Sequence, residues 1–85
     1  ARRIMKRLSE TGIKGRTIEQ ESGLSRREVR ILLMICEGAS NKFIAGRLGI
    51  SESTVKFHLT NLYRKLGCTR RREAIAVARA RNWLH

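Results

Sequence analysis

The chain has 85 residues, and its 19 Lys and Arg against 7 Asp and Glu give a formal net charge of +12. That length allows one domain, whose small core removes only about 60–65% of the unfolded surface from water and leaves little room for a deep catalytic pocket. Two cysteines, Cys36 and Cys68, are too few for a secreted disulfide scaffold and read as free, buried thiols of a cytosolic protein, while the excess positive charge points to a polyanionic partner.

Residues 1–23 come first and carry little pattern. Ile4, Met5 and Leu8 fit one short amphipathic turn, and Gly12, Gly15 and Gly23 interrupt the rest. The segment reads as a flexible linker or N-terminal extension, with a domain over residues 24–85. Its basic start lacks an apolar stretch long enough for a secretory signal. No run of 18 apolar residues occurs, so no membrane span and no membrane partner are expected.

From Leu24 onward the period is helical. Ser25, Arg26, Arg27 and Glu28 form a capping box, with Leu24 and Val29 placed as a hydrophobic staple. Ile31, Leu32, Ile35 and Cys36 continue the apolar face until Gly38. Ser40 caps a short helix over 40–48 with Ile44, Ala45 and Leu48 inward, ended by Gly49. Ser51 caps a longer helix over 51–66, whose core stripe is Val55, Leu59, Leu62 and Leu66. Gly67 stops it, and Thr69 caps a last helix containing Ala74, Ile75, Val77, Ala78 and Ala80. The expected fold is all-α, with four helices and turns of about three residues that force packing between neighbours.

Helical geometry singles out the third of these helices. At about 100° per residue from Val55, the core stripe stays within about 40°, while Phe57 falls near 200°, on the opposite face. Ser53, Thr60, Asn61 and Arg64 surround it, with Lys56 and Thr54 at the flanks. Phenylalanine is expected inside a protein, so an outward ring among hydroxyls, an amide and cations suits a face that meets base edges in a DNA major groove. The competing reading packs Phe57 against a neighbouring helix or residues 1–23. His58, near 300°, reads as a half-buried, hydrogen-bonding side chain at the edge of the core. The pair 40–48 and 51–66 has helix-turn-helix spacing. The free amides at the N-termini, Ser40-Asn41-Lys42 and Ser51 through Thr54, suit phosphate. The half from residue 40 carries 10 basic and 2 acidic side chains, net +8, against 9 and 5, net +4, for residues 1–39.

Five blocks carry a family resemblance: Leu24-Ser25-x-Arg27-Glu28; Gly38-x-Ser40-Asn41-Lys42-x-Ile44-Ala45; Leu48-x-Ile50-Ser51-x-x-Thr54-Val55-Lys56-x-His58; Asn61-Leu62-x-x-Lys65-Leu66-Gly67; and Arg71-x-Glu73-Ala74. In order and spacing they resemble the LuxR-type helix-turn-helix domain of bacterial quorum-sensing and response regulators. The resemblance covers about residues 24–84. It implies a four-helix, cytoplasmic, nucleoid-associated domain that binds operator DNA, usually as a dimer through its last helix. Lys56, Phe57 and Thr60 would then face bases. Ser40, Asn41, Lys42, Ser51, Ser53, Thr54, Asn61 and Lys65 would face or approach phosphates, and the cations Arg64, Arg70 and Arg71 are assigned to phosphate as well. Ala76, Val77, Ala80 and Trp83 supply small or apolar surface for the dimer. An upstream sensory or receiver domain would control pairing, and RNA polymerase stands as a further partner.

The chain departs from that family at Phe43, where an acidic residue is usual. The ring either fills a local apolar contact or stands exposed. Arg26, Arg30 and the triplet Arg70-Arg71-Arg72 also add charge relative to the family pattern. A sigma-factor promoter-reading region shares the Arg-Glu, Ile-Ala and Thr-Val-Lys features, but such a region usually ends after its recognition helix. A basic module lying on anionic lipid is a third reading, set against apolar stripes narrow enough to satisfy one another as a core. Aspartate is absent, and no nucleophile–base pair, phosphate-binding glycine loop or zinc-type His/Cys spacing occurs, so neither an enzyme nor a cofactor or metal is expected.

Overall fold

Four of the five described helices start at a Ser or Thr whose side chain accepts a backbone N–H. The computed structural model describes residues 17–84, so the turn expected at Ile4, Met5 and Leu8 lies outside the described residues. Among them the order is α1 (Ile18–Ser22), α2 (Arg26–Cys36), α3 (Asn41–Leu48), α4 (Glu52–Leu66) and α5 (Arg71–Ala80), with no strand. The fold is all-helical, and α2 to α5 are the four expected helices.

The capping box before α2 is closed on both sides: Ser25 Oγ accepts from the Glu28 amide at 3.1 Å, and Glu28 Oε1 accepts from the Ser25 amide at 2.8 Å. Leu24 and Val29 are both buried, as a staple requires. Ser40 Oγ accepts from the Phe43 amide to start α3, and Ser51 Oγ from the Thr54 amide to start α4. Between those helices Gly49 adopts φ 69°, a left-handed conformation that would strain any side chain there.

Two local expectations are corrected. The cap of α5 is Arg70, not Thr69, and it makes no side-chain cap bond. An arginine has no acceptor to offer. Glu73 instead reaches back, its Oε1 accepting from the Thr69 amide at 2.9 Å. The segment 1–23 is also not irregular throughout. Thr17 and Gln20 form a second capping box, α1 follows, and Ile18 is buried.

The core lies where α4 meets α2, α3 and α5. Ile31, Leu32, Ile35, Ile44, Val55 and Leu62 are its fully buried large side chains. Each contributes about 1.5–3 kcal/mol by leaving water. Leu59 is buried and Leu66 half-buried, so the expected stripe faces inward. Ala74 and Ala78 of α5 are fully covered, and their small size lets that helix approach closely. Cys36 and Cys68 are free but only half-buried, because both stand at helix ends rather than within the core stripe.

Trp83, expected on the exposed dimer face, is instead 2% exposed. The wheel fails there because α5 ends at Ala80. Asn82 takes φ 65°, and the Trp83 amide bonds back to the Ala78 carbonyl at 2.9 Å. The indole Nε1 then donates to Glu21 of α1 at 3.1 Å. Arg81 covers the ring from 5.6 Å. The two ends of the described chain are thereby joined.

Candidate nucleic-acid interface

The turn Gly49-Ile50-Ser51 sets α4 beside α3 in a helix-turn-helix. With 15 residues, α4 is about 22 Å long. Its core edge is fixed by Val55, Leu59 and Leu62, so its opposite face is fixed as well. On that face Phe57 is 64% exposed. Ser53, Lys56, Thr60 and Arg64 are exposed around it, with Thr54 and Asn61 half-buried at the side. The reading that Phe57 packs on a neighbouring helix is therefore excluded. His58 is half-buried, its ring edge-on to Phe57 with centroids 5.8 Å apart. It forms this aromatic contact, whereas no hydrogen bond to its ring occurs among the described residues.

Hydrogen bonds already made restrict what each group can still offer. Thr60 Oγ1 donates to the Lys56 carbonyl at 3.0 Å, leaving the hydroxyl oxygen to accept and the methyl group to pack. Arg64 donates to Asn61 Oδ1 at 2.8 Å, so the Asn61 NH2 remains as the outward donor. Ser40 Oγ accepts from a backbone amide and keeps its proton for donation. The Ser51 and Thr54 hydroxyls lie 2.9 Å apart, and one of their two protons is consumed between them.

The cations fall into two groups. Lys42, Lys56 and Arg70 are exposed, with no ion pair among the described residues. Lys65 is engaged, its Nζ 2.8 Å from Glu28 Oε1 in the α2 capping box. Arg71 is engaged too, donating to the Ala39 carbonyl at 2.8 Å and to Asn41 Oδ1 at 2.7 Å. Those two bonds tie the start of α5 to the start of α3 and use up the Asn41 carbonyl oxygen. A wheel or a motif cannot reveal such long-range partners. The burial of Glu28, which calls for a partner, shows only in the fold.

Burial pushes the Glu28 carboxyl up, but hydrogen bonds from Lys65 and Ser25 and the Lys65 charge outweigh it and hold the group below the ordinary glutamate value. Glu73 is also held low, first by the Thr69 amide. Burial raises both cysteine thiols above their ordinary value, which disfavours the reactive thiolate. Among the described residues no cluster of His, Cys or Glu could hold a metal, and no helix is long and apolar enough to cross a membrane.

On α5, Ala76 and Ala80 are exposed and Val77 half-buried, flanked by exposed Arg72 and Arg79. Phe43 is 55% exposed, which settles the alternative left open by the sequence.

Residues 22–78 match the family described as bacterial regulatory proteins, luxR family. The chain is 42% identical over 76 residues to the transcriptional regulatory protein YdfI of Bacillus subtilis (strain 168), a match covering 88% of this chain and 36% of that protein. It is 46% identical over 57 residues to the HTH-type transcriptional regulator MalT of Serratia proteamaculans (strain 568), covering 67% of this chain and 6% of that one. The crystal structure of ChrA, the response regulator of a heme-sensing two-component system, superposes with a TM-score of 0.68 at 41% identity over 95% of this chain and 36% of that one. The chain thus spans about a third of YdfI and of ChrA, and a far smaller share of MalT. With its helix-turn-helix geometry and this family match, the chain belongs to the luxR family of bacterial regulatory proteins, as the DNA-binding helix-turn-helix domain of a transcriptional regulator.

Proposed function

We propose that the chain reads a specific double-stranded DNA sequence by laying α4 in the major groove, with Lys56, Phe57 and Thr60 against base edges. The exposure of Phe57 carries this reading. A ring 64% open to solvent costs free energy in the free protein, and a thymine methyl in the groove would cover it. Thr60, its proton committed to the Lys56 carbonyl, would accept from an adenine or cytosine amino group or pack its methyl on thymine. Lys56 would donate to guanine or to the adjoining phosphate.

Phosphate contacts are assigned to Ser40, Lys42 and the Asn41 NH2 at the start of α3, and to Ser51, Ser53 and Thr54 at the start of α4. Asn61, Arg64 and Arg70 extend the track. Both helix starts offer free amides and a partial positive charge. Lys65 and Arg71 are reassigned: their partners Glu28 and Asn41 make them supports that hold α2 on α4 and α5 on α3.

A monomer of this size offers few contacts, and two copies on a dyad-symmetric site would gain by effective concentration. Ala76, Val77 and Ala80 supply the seam in this reading, without Trp83. Arg72 and Arg79 repel across it, so pairing is expected on DNA, where phosphate offsets that charge. YdfI and ChrA are longer than this chain, and we assign control of pairing to an upstream sensory or receiver domain of that kind. RNA polymerase is the further partner, the bacterial cytoplasm the location, and binding rather than catalysis the activity.

Selection of bound duplexes from a randomised pool tests the proposal. A dyad-symmetric consensus is expected. Enrichment without any consensus would contradict base readout, and a single undivided half-site would contradict the dimer.

A further inference from the structure

Phe43 has no part in that reading of DNA. It and Phe57 are the large apolar side chains left exposed among the described residues. Helix α3 buries Ile44 and Ala45 and leaves Lys42, Phe43, Gly46 and Arg47 in solvent. These four, with Ser40, line a shallow depression of about 480 Å³. The Arg47 guanidinium carbon lies 6.0 Å from the Phe43 ring centroid. At Gly46 a Cβ would meet nothing within 4 Å, so the surface beside the ring is bare backbone with open space above it. No acidic residue occurs in α3.

A phosphate backbone accounts for Lys42 but not for the ring, since a phenyl face carries the negative end of its quadrupole and repels an anion. Arg47 rests over the ring, and a guanidinium in that position keeps its N–H edge free for a carboxylate. An apolar plate, a notch at Gly46 and the Arg47 guanidinium together suit an acidic protein surface better than a nucleic acid. The chain's own segments do not complement this face. Residues 1–16 hold six basic residues and one acidic residue, and a second copy brings another +12.

We propose that this face of α3 docks an acidic protein segment, one that sets an aliphatic or aromatic side chain on Phe43 beside Gly46 and a carboxylate on Arg47. Ser40 and Lys42 at the edge of this face stay with phosphate in the proposed DNA reading, while Phe43, Gly46 and Arg47 belong to neither the base-reading face of α4 nor the phosphate track, so such a partner would bind while DNA is held.

The test uses the 85-residue chain, isotopically labelled for NMR. It is titrated with a synthetic peptide of glutamate and alanine carrying one central leucine, with the same peptide carrying serine in place of leucine, and with a mixed-sequence duplex. The leucine peptide is expected to move the Phe43, Gly46 and Arg47 amides and to bind about tenfold more tightly than the serine peptide. Phe43→Ser should remove that advantage and leave duplex affinity within about twofold, and Arg47→Gln should weaken both peptides. Phe43 is exposed, and an unchanged melting temperature shows that the variant folds. Equal binding of the two peptides would overturn the proposal, leaving only net charge. A tenfold loss of duplex affinity in Phe43→Ser would assign the ring to DNA. Shifts that follow the chain's own concentration would assign it to a second copy.

Discussion

The two edges of α4 use positive charge in opposite ways. Lys56 and Lys65 are nine residues apart, which puts them on opposite sides of the helix. Lys65 bonds to Glu28 and presses α4 against α2, while Lys56 stands exposed next to Phe57 with no ion-pair partner among the described residues. Neighbouring arginines at the start of α5 repeat the contrast. Arg71 is spent on Ala39 and Asn41, and Arg70 is exposed. Not all of the 19 Lys and Arg are therefore phosphate contacts in the proposed reading: Lys65 and Arg71 hold helices in register instead.

That contrast can be broken from either side. Glu28→Ala should have the largest effect. It removes the capping-box acceptor and the partner of Lys65, for a loss of about 2–3 kcal/mol, below the full cost for a buried pair because Lys65 is 37% exposed. The melting temperature should drop by roughly 10 °C. The salt dependence of DNA binding, measured where the variant is folded, should stay unchanged. Glu28 also sets a pH response. Its folded carboxyl lies below the ordinary value, so its stabilisation is present above that value and is lost as pH falls through the folded one. Glu28→Gln should flatten that part of an acid denaturation curve.

Next in size, Phe57→Ala and Thr60→Ala should each cost about 1–3 kcal/mol of discrimination at one base pair, with stability nearly unchanged. Lys65→Met should lower stability by about 1 kcal/mol and leave the salt slope alone. Lys42→Gln should do the reverse, weakening every duplex alike and reducing the slope of log affinity against log salt by about one unit. A salt slope lowered by Lys65→Met and untouched by Lys42→Gln would invert the comparison.

What could be read from the sequence was local. Ser25 with Glu28, Ser40 and Ser51 lie within three residues of the amides they cap, and the 4-3-4 spacing of Val55, Leu59, Leu62 and Leu66 is enough to turn Phe57 outward. Helix α1 fell inside the expected linker. One buried residue, Ile18, gives no period to detect. The rest depends on residues distant in the chain. Trp83 meets Glu21 across 62 positions, Lys65 meets Glu28 across 37, and Arg71 meets Asn41 across 30. Those contacts bury Trp83, expected on the dimer face, and give Lys65 and Arg71, expected at phosphate, partners within the chain. The outward direction of Phe43 depends on α3 burying Ile44 and Ala45, a tertiary matter as well.

The central claim is that the solvent face of α4 reads bases. Selection from a randomised duplex pool, run in parallel for the parent chain and Phe57→Ala, addresses it most directly. The account predicts that the variant keeps the consensus at every position but one in each half-site, where the preference collapses. An unchanged consensus, or an even loss across all positions, would contradict it.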